Sequence, residues 1–249
     1  MTGYDSWMRI DGRANDELRP VKMTVGFAKY AEGSCLIEIG DTHVMVTATV
    51  EDKVPPFMKN QGKGWVTAEY SMLPRSGRQR NQRDANRGPN GRSMEIQRLI
   101  GRSMRAIVDV ESMGERTITL DCDCLRADGG TRTASITAAY VATYQAMRWM
   151  MDQRMIKRIM MDEAVAAISV GVVKGHEMLD LNYEEDSTAY TDMNIVMTES
   201  GKFVELQGTA ESAPFSTETL VKMLGLGKKG VLELVEMQKA ALEEAGLVG

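Results

Sequence analysis

The stretch Asp128-Gly129-Gly130-Thr131-Arg132-Thr133-Ala134-Ser135-Ile136-Thr137 joins a glycine turn to a threonine-flanked arginine, just where an apolar helix begins. Those residue types suit an anion such as phosphate. Gly129 and Gly130 let backbone approach a ligand closely, N–H groups at a helix start point toward it, and Arg132 adds a rigid fork of donors. The blander reading is an ordinary helix cap, since Thr and Ser are common there for purely local reasons. A second candidate is Asp180-Leu181-Asn182-Tyr183-Glu184-Glu185-Asp186-Ser187, with Asp192 six residues beyond Asp186 and leading into an apolar strand. Acidic loops are commonly just solvated, yet carboxylates gathered at a strand edge can hold Mg²⁺ or act as an acid.

Charge is distributed unevenly. The formal net charge of −5 argues against a nucleic-acid partner, but Arg75, Arg78, Arg80, Arg83, Arg87, Arg92, Arg98, Arg102 and Arg105 face only Asp84 and Glu95 in their window. That local +7 leaves −12 for the rest of the chain. Arginine without lysine favours planar, bidentate phosphate recognition. A solvated helix face would account for Arg98, Arg102 and Arg105, but poorly for the loop arginines.

Several other chemistries drop out. Cys35, Cys122 and Cys124 are an odd number, best read as reduced and packed, and with His43 and His176 isolated they make no zinc site. Gly225-Leu226-Gly227-Lys228-Lys229-Gly230 matches G-x-G-x-x-G, but a helical segment precedes it where a dinucleotide site needs a strand. It reads instead as a turn between two helices. There is no phosphate-binding P-loop motif and no Ser/His/Asp set. Neither a secretory signal nor a membrane span is expected, and the chain is read as cytoplasmic.

The elements that must position these groups follow from hydrophobic patterning. Segments 21–30, 34–39 and 43–50 read as strands, with a hairpin turn at Gly40-Asp41, and Trp65 to Tyr70 as another. The polar stretch 74–91 is a long loop. Ile96, Leu99, Ile100, Met104, Ile107 and Val108 define one helix face running to about Asp109. Ile118 to Leu125 is a buried strand, and Thr133 to Met151 a second helix. Strands at 165–173, 178–181, 193–197 and 203–206 follow, then two helices within 216–245. This predicts an α+β fold of mixed sheets packed with helices, a single domain 1–249 of two similar halves, about 1–155 and 156–249. The twenty methionines are adaptable core filler.

Longer motifs then carry a resemblance. They are Arg9-x-Asp11-Gly12-Arg13, Leu18-Arg19-Pro20-Val21, Gly64-Trp65-Val66-Thr67-Ala68-Glu69-Tyr70 with Ser71-Met72-Leu73-Pro74, and Glu95-Ile96-Gln97-Arg98-Leu99-Ile100-Gly101-Arg102. Asp121-Cys122-Asp123, the stretch 127–137, Tyr183-Glu184-Glu185-Asp186-Ser187 and Gln207-Gly208-Thr209-Ala210-Glu211 complete the set. Through these the chain resembles ribonuclease PH, the bacterial phosphate-dependent 3′-to-5′ exoribonuclease. The resemblance implies two β-α units per chain and a homohexameric ring, a trimer of dimers. It implies that Arg92, Gly130, Thr131 and Arg132 bind inorganic phosphate as co-substrate. Asp186 and Asp192 would serve catalysis and hold Mg²⁺ or Mn²⁺, while Arg75, Arg80 and Arg83 contact tRNA. The implied substrates are tRNA precursors and other RNA 3′ ends. Ser93 stands where the family often has Thr, Arg126 where Gln is common, and the polar loop that carries Arg75, Arg80 and Arg83 is about one residue shorter than in some relatives.

Overall fold

The computed structural model describes residues 9–83, 90–212 and 214–248. The first sheet is built from β1 (Val21–Val25), β2 (Gly33–Ile39), β3 (Thr42–Glu51), β4 (Trp65–Met72) and β5 (Thr117–Arg126), in the order β1-β2-β3-β5-β4. All its pairings are antiparallel except β4 with β5. That parallel pair needs a crossover, which helix α1 (Gly91–Arg105) supplies. Gly40 and Asp41 make the β2–β3 turn the sequence predicts, with Gly40 at φ +53°.

Helix α2 (Thr131–Asp152) carries no amphipathic stripe because it has no solvent side to speak of. It packs on β2 and β3 and also on β6 (Val165–Val173) of the second sheet. Its alanines allow close approach, and so does Gly33: a Cβ there would lie 2.0 Å from the Ala142 carbonyl oxygen. The second sheet adds β7 (His176–Leu179), β8 (Thr191–Thr198) and β9 (Phe203–Ala210), ordered β7-β6-β8-β9 and wholly antiparallel. Strand β6 is apolar almost throughout and buried at nearly every position. Such a run belongs to a strand covered on both faces, here by α2 and by α4 (Thr217–Glu244). A single turn, α3 (Tyr183–Asp186), lies between β7 and β8.

The α+β class and the mixed sheets packed with helices are as the patterning predicts. One element differs in kind. Residues 217–244 form a single 28-residue helix, not two helices around a glycine turn. Gly227 and Gly230 face inward, where a Cβ would meet Ile195 Cδ1 at 2.2 Å and Leu179 Cδ1 at 2.7 Å. They are packing glycines, and propensity yields to burial. Boundaries move too. Helix α1 stops at Arg105, and Val108 instead bridges to Met161. Strand β7 ends at Leu179 because Asp180 turns to φ +53°. Among the described residues no helix is long and apolar enough to cross a membrane.

Candidate active site

Helix α2 begins at Thr131, two residues earlier than the sequence pattern suggests, and its N-cap is Gly130 at φ +68°. Glycine offers no side chain, so the first-turn N–H groups receive no side-chain cap. The other helix starts are different. Asn90 caps α1 at Ser93 N–H, 2.8 Å away; Asn182 and Glu185 form a reciprocal capping box on α3; Ser216 caps α4 at Thr219 N–H, 3.1 Å away. Among the described α-helices α2 alone starts without a side-chain cap, and its first residues line a cavity. Gly129, at φ +77°, serves a separate end: a Cβ there would sit 2.5 Å from the Leu181 carbonyl oxygen, so the strap lies directly on the chain entering α3.

The cavity measures about 330 Å³. Its walls bring together Arg92, Gly130, Thr131, Arg132, Asp186 and Asp192, drawn from α1, the start of α2, α3 and β8. Ser169, Asn194, Gln207 and Thr209 line it as well, and their arrangement follows from sheet register. Ser169 pairs with Asn194, Asn194 with Gln207, and Asp192 with Thr209, so alternate residues of three strands share one face. Glu95 and Glu211 complete the wall.

Thr131 is oriented from behind. The buried Tyr70 hydroxyl donates to Thr131 Oγ1 at 2.8 Å, leaving the threonine's own proton available to another acceptor. Burial pushes the Tyr70 phenol up to about 12, which keeps it a donor. Arg132 Nη1 donates to Gln207 Oε1 at 2.6 Å and to Glu95 Oε1 at 3.2 Å, while Gln207 Nε2 donates to the same Glu95 oxygen at 2.6 Å. Arg92 is exposed at the cavity rim and forms no salt bridge with any described residue.

The opposite wall is acidic. Withdrawal from solvent, and then the Asp192 carboxylate, raise the Asp186 carboxyl above the ordinary aspartate range, against the pull of Arg92, Arg132 and Arg19. Asp192 is raised by burial and by Glu211, with Arg132 opposing. Two carboxylates that resist joint ionisation want a proton or a cation between them. No cluster of three or more His, Cys, Asp or Glu groups suited to a metal exists among the described residues. The two aspartates are hard oxygen donors of the kind that binds Mg²⁺ together with water or phosphate oxygens.

Arg75, Arg80 and Arg83 do not line this cavity; all three are exposed on the segment after β4. Within that segment Arg78, one of the clustered arginines to which the resemblance gives no role, is tied down. It pairs with Glu184 at 2.7 Å and lies 5.2 Å from the Tyr183 ring centre. Arg87 lies outside the described residues. The cavity groups not singled out are Glu95, Ser169, Asn194, Gln207, Thr209 and Glu211. Alternation along β8 and β9 would have found three of them, Asn194, Gln207 and Thr209, had β9 been read as continuing past Leu206 to Ala210. The three cysteines are buried and free, with burial raising each thiol.

Comparison with known proteins agrees with this architecture. A model of the 3′ exoribonuclease family, domain 1, matches residues 17–148, and the model of domain 2 of that family matches residues 163–230. The chain belongs to the 3′ exoribonuclease family of ribonuclease PH type. Rice (Oryza sativa) Rrp46 superposes with a TM-score of 0.76 at 18% identity, covering 94% of this chain and 100% of that one. A chain of the Archaeoglobus fulgidus exosome with RNA bound to the active site superposes with a TM-score of 0.78 at 22% identity, over 92% of each chain. A chain of an archaeal exosome core gives 0.73 at 22% identity, over 93% of this chain and 91% of that one. At such identities the likeness is one of fold.

Proposed function

We propose that this chain is a phosphate-dependent 3′-to-5′ exoribonuclease of the bacterial ribonuclease PH kind, acting on tRNA precursors and other RNA 3′ ends. One observation carries the reading: a cavity that sets an uncapped helix start and two arginines against a pair of carboxylates. Inorganic phosphate, held by Arg92, Thr131, Arg132 and the first N–H groups of α2, attacks the last phosphodiester in line. A phosphate oxygen bonds to phosphorus, the bond to the 3′ oxygen breaks, and a nucleoside diphosphate leaves. The 3′ oxygen takes a proton, for which Asp186 or Asp192, raised in pKa, is the donor at hand. Mg²⁺ or Mn²⁺ held by Asp186 and Asp192 would neutralise developing negative charge. Phosphoryl transfer asks little covalent help of a protein, so positioning and electrostatics carry the rate.

The reaction exchanges a phosphodiester for a diphosphate linkage, so it runs in reverse: excess nucleoside diphosphate extends RNA tails. The exposed Arg75, Arg80 and Arg83 are read as contacts to the body of tRNA, outside the cavity. Assembly into a homohexamer, a trimer of dimers in the cytoplasm, belongs to the same proposal. Incubation with a 3′-extended tRNA, with and without phosphate, tests it. Nucleoside diphosphates that form only with phosphate support phosphorolysis; monophosphates mean hydrolysis, and RNA binding without products means a non-catalytic ring subunit.

A further inference from the structure

Behind the cavity wall lies a cluster of charged side chains withdrawn from solvent: Arg9, Arg19, Asp180 and Glu185. Arg19 forks onto Asp180, Nε to Oδ2 at 2.9 Å and Nη2 to Oδ1 at 2.7 Å. The same guanidinium donates to the glycine strap, at 2.5 Å to the Asp128 carbonyl and 3.5 Å to that of Gly129. Arg9 forks onto Glu185, Nε to Oε1 at 2.7 Å and Nη2 to Oε2 at 2.6 Å. It also donates to the carbonyls of Leu179 and Asp180, at 2.8 and 2.9 Å. Glu185 closes the capping box that starts α3, and the next residue is Asp186. Asp180 sits at φ +53°, and its carboxylate also accepts the Arg19 backbone N–H at 2.8 Å.

Stability alone does not account for this cluster. Buried ion pairs roughly break even against well-packed apolar residues, because each charge must first leave water. A left-handed aspartate persists only where its surroundings over-determine it, and such residues gather where position matters. Both ends of the cluster run into cavity walls, the strap that opens α2 at one end and the turn that carries Asp186 at the other. None of the four side chains lines the cavity itself.

We propose that Arg19 and Arg9 are positioning residues: acting through Asp180 and Glu185, they clamp the glycine strap to α3 and so set the distance between the anion cradle and Asp186. This rests on reading the cavity as a phosphate site. Two variants of the full-length protein test it. Arg19→Lys keeps the charge but loses the fork, and Asp180→Asn keeps the shape but loses the charge. Inorganic phosphate binding is measured by calorimetry, kcat and KM for phosphate on a 3′-extended RNA, and folding by thermal melting. Ile37→Val, a core change in β2, is the control for lost stability. The clamp predicts a roughly tenfold or greater loss of phosphate affinity, with KM raised and kcat lowered, in both polar variants and not in the control. Melting that falls while affinity and KM stay at wild-type values overturns it. Should Arg19→Lys fail to fold, Asp180→Asn decides alone. A wild-type chain that binds phosphate but shortens no RNA removes phosphorolysis and leaves the calorimetric comparison standing. One that binds no phosphate overturns both readings.

Discussion

Two glycine clusters in this chain look alike on paper and behave in opposite ways. Gly129 and Gly130 both take positive φ, open a helix, and leave its first N–H groups uncapped at a cavity. Gly227 and Gly230 sit mid-helix in α4, with helical backbone, and are there because Ile195 and Leu179 leave no room for a methyl group. Only the second cluster carries a recognised nucleotide-binding spacing, and it lies inside a helix, without the strand-to-helix turn such a site needs. The lesson is that glycine spacing acquires meaning from the element it interrupts: at a helix start it exposes donors, and inside a helix it removes bulk.

The comparison can be broken at several points. The largest effect is expected at the donors that surround the first cluster. Arg132→Ala or Arg92→Ala should cut phosphate-dependent shortening by about 100-fold or more, with the melting curve little changed. Near-normal rates would mean that the cavity does not hold the attacking phosphate. Gly129→Ala comes next. Its methyl group would meet the Leu181 carbonyl at 2.5 Å in a conformation alanine avoids. Phosphate turnover should fall at least tenfold, about 1.4 kcal/mol or more in the barrier.

Acidity probes the facing wall. Because Asp186 and Asp192 are raised, they take up protons in the native state before they would in the unfolded chain. The sign follows: their contribution favours the native state at low pH and is lost as pH rises through the raised native values. Divalent cation binding, which needs the ionised form, should weaken over that same window as pH falls. Asp192→Asn removes the second largest cause of the Asp186 shift, so Asp186 should titrate lower, as NMR of the carboxyl can show. No movement of Asp186 would uncouple the pair.

Arg80→Ala with Arg83→Ala should act more gently, raising KM for tRNA several-fold and reducing its salt dependence while sparing short oligonucleotides. The smallest effect on activity is expected in α4. Gly227→Ala should cost about 1–3 kcal/mol of stability through overpacking against Ile195. Gly225→Ala, which meets nothing within 4 Å, should instead stabilise the helix by roughly 0.5–1 kcal/mol. Neither should alter KM for phosphate, and a change in either would erase the contrast between the clusters.

Much of this was legible in the chain. Richness in Val, Ile and Thr marked β2 and β3, the apolar run marked β6, and the Asp-Gly-Gly-Thr-Arg stretch marked a glycine turn that opens α2 at a cavity. What stayed hidden depended on contacts remote in sequence. Gly225 to Gly230 read as a break because helix propensity cannot report Ile195 on a neighbouring strand. Glu95 and Gln207 gave no local sign of meeting at Arg132, since 112 residues separate them. Strand β9 was cut short because Gly208 weakens its pattern, although that glycine merely accommodates Met193 beneath it.

The open start of α2 has a thermodynamic corollary. A side-chain cap contributes about 1 kcal/mol to a helix, and this one, buried at the centre of the molecule, forgoes it. An anion seated there would complete the helix, so occupancy and folding become linked quantities. At ten times its dissociation constant such a ligand adds roughly 1.4 kcal/mol to the native state. Were inorganic phosphate that anion, its concentration would set the protein's own lifetime as well as its turnover.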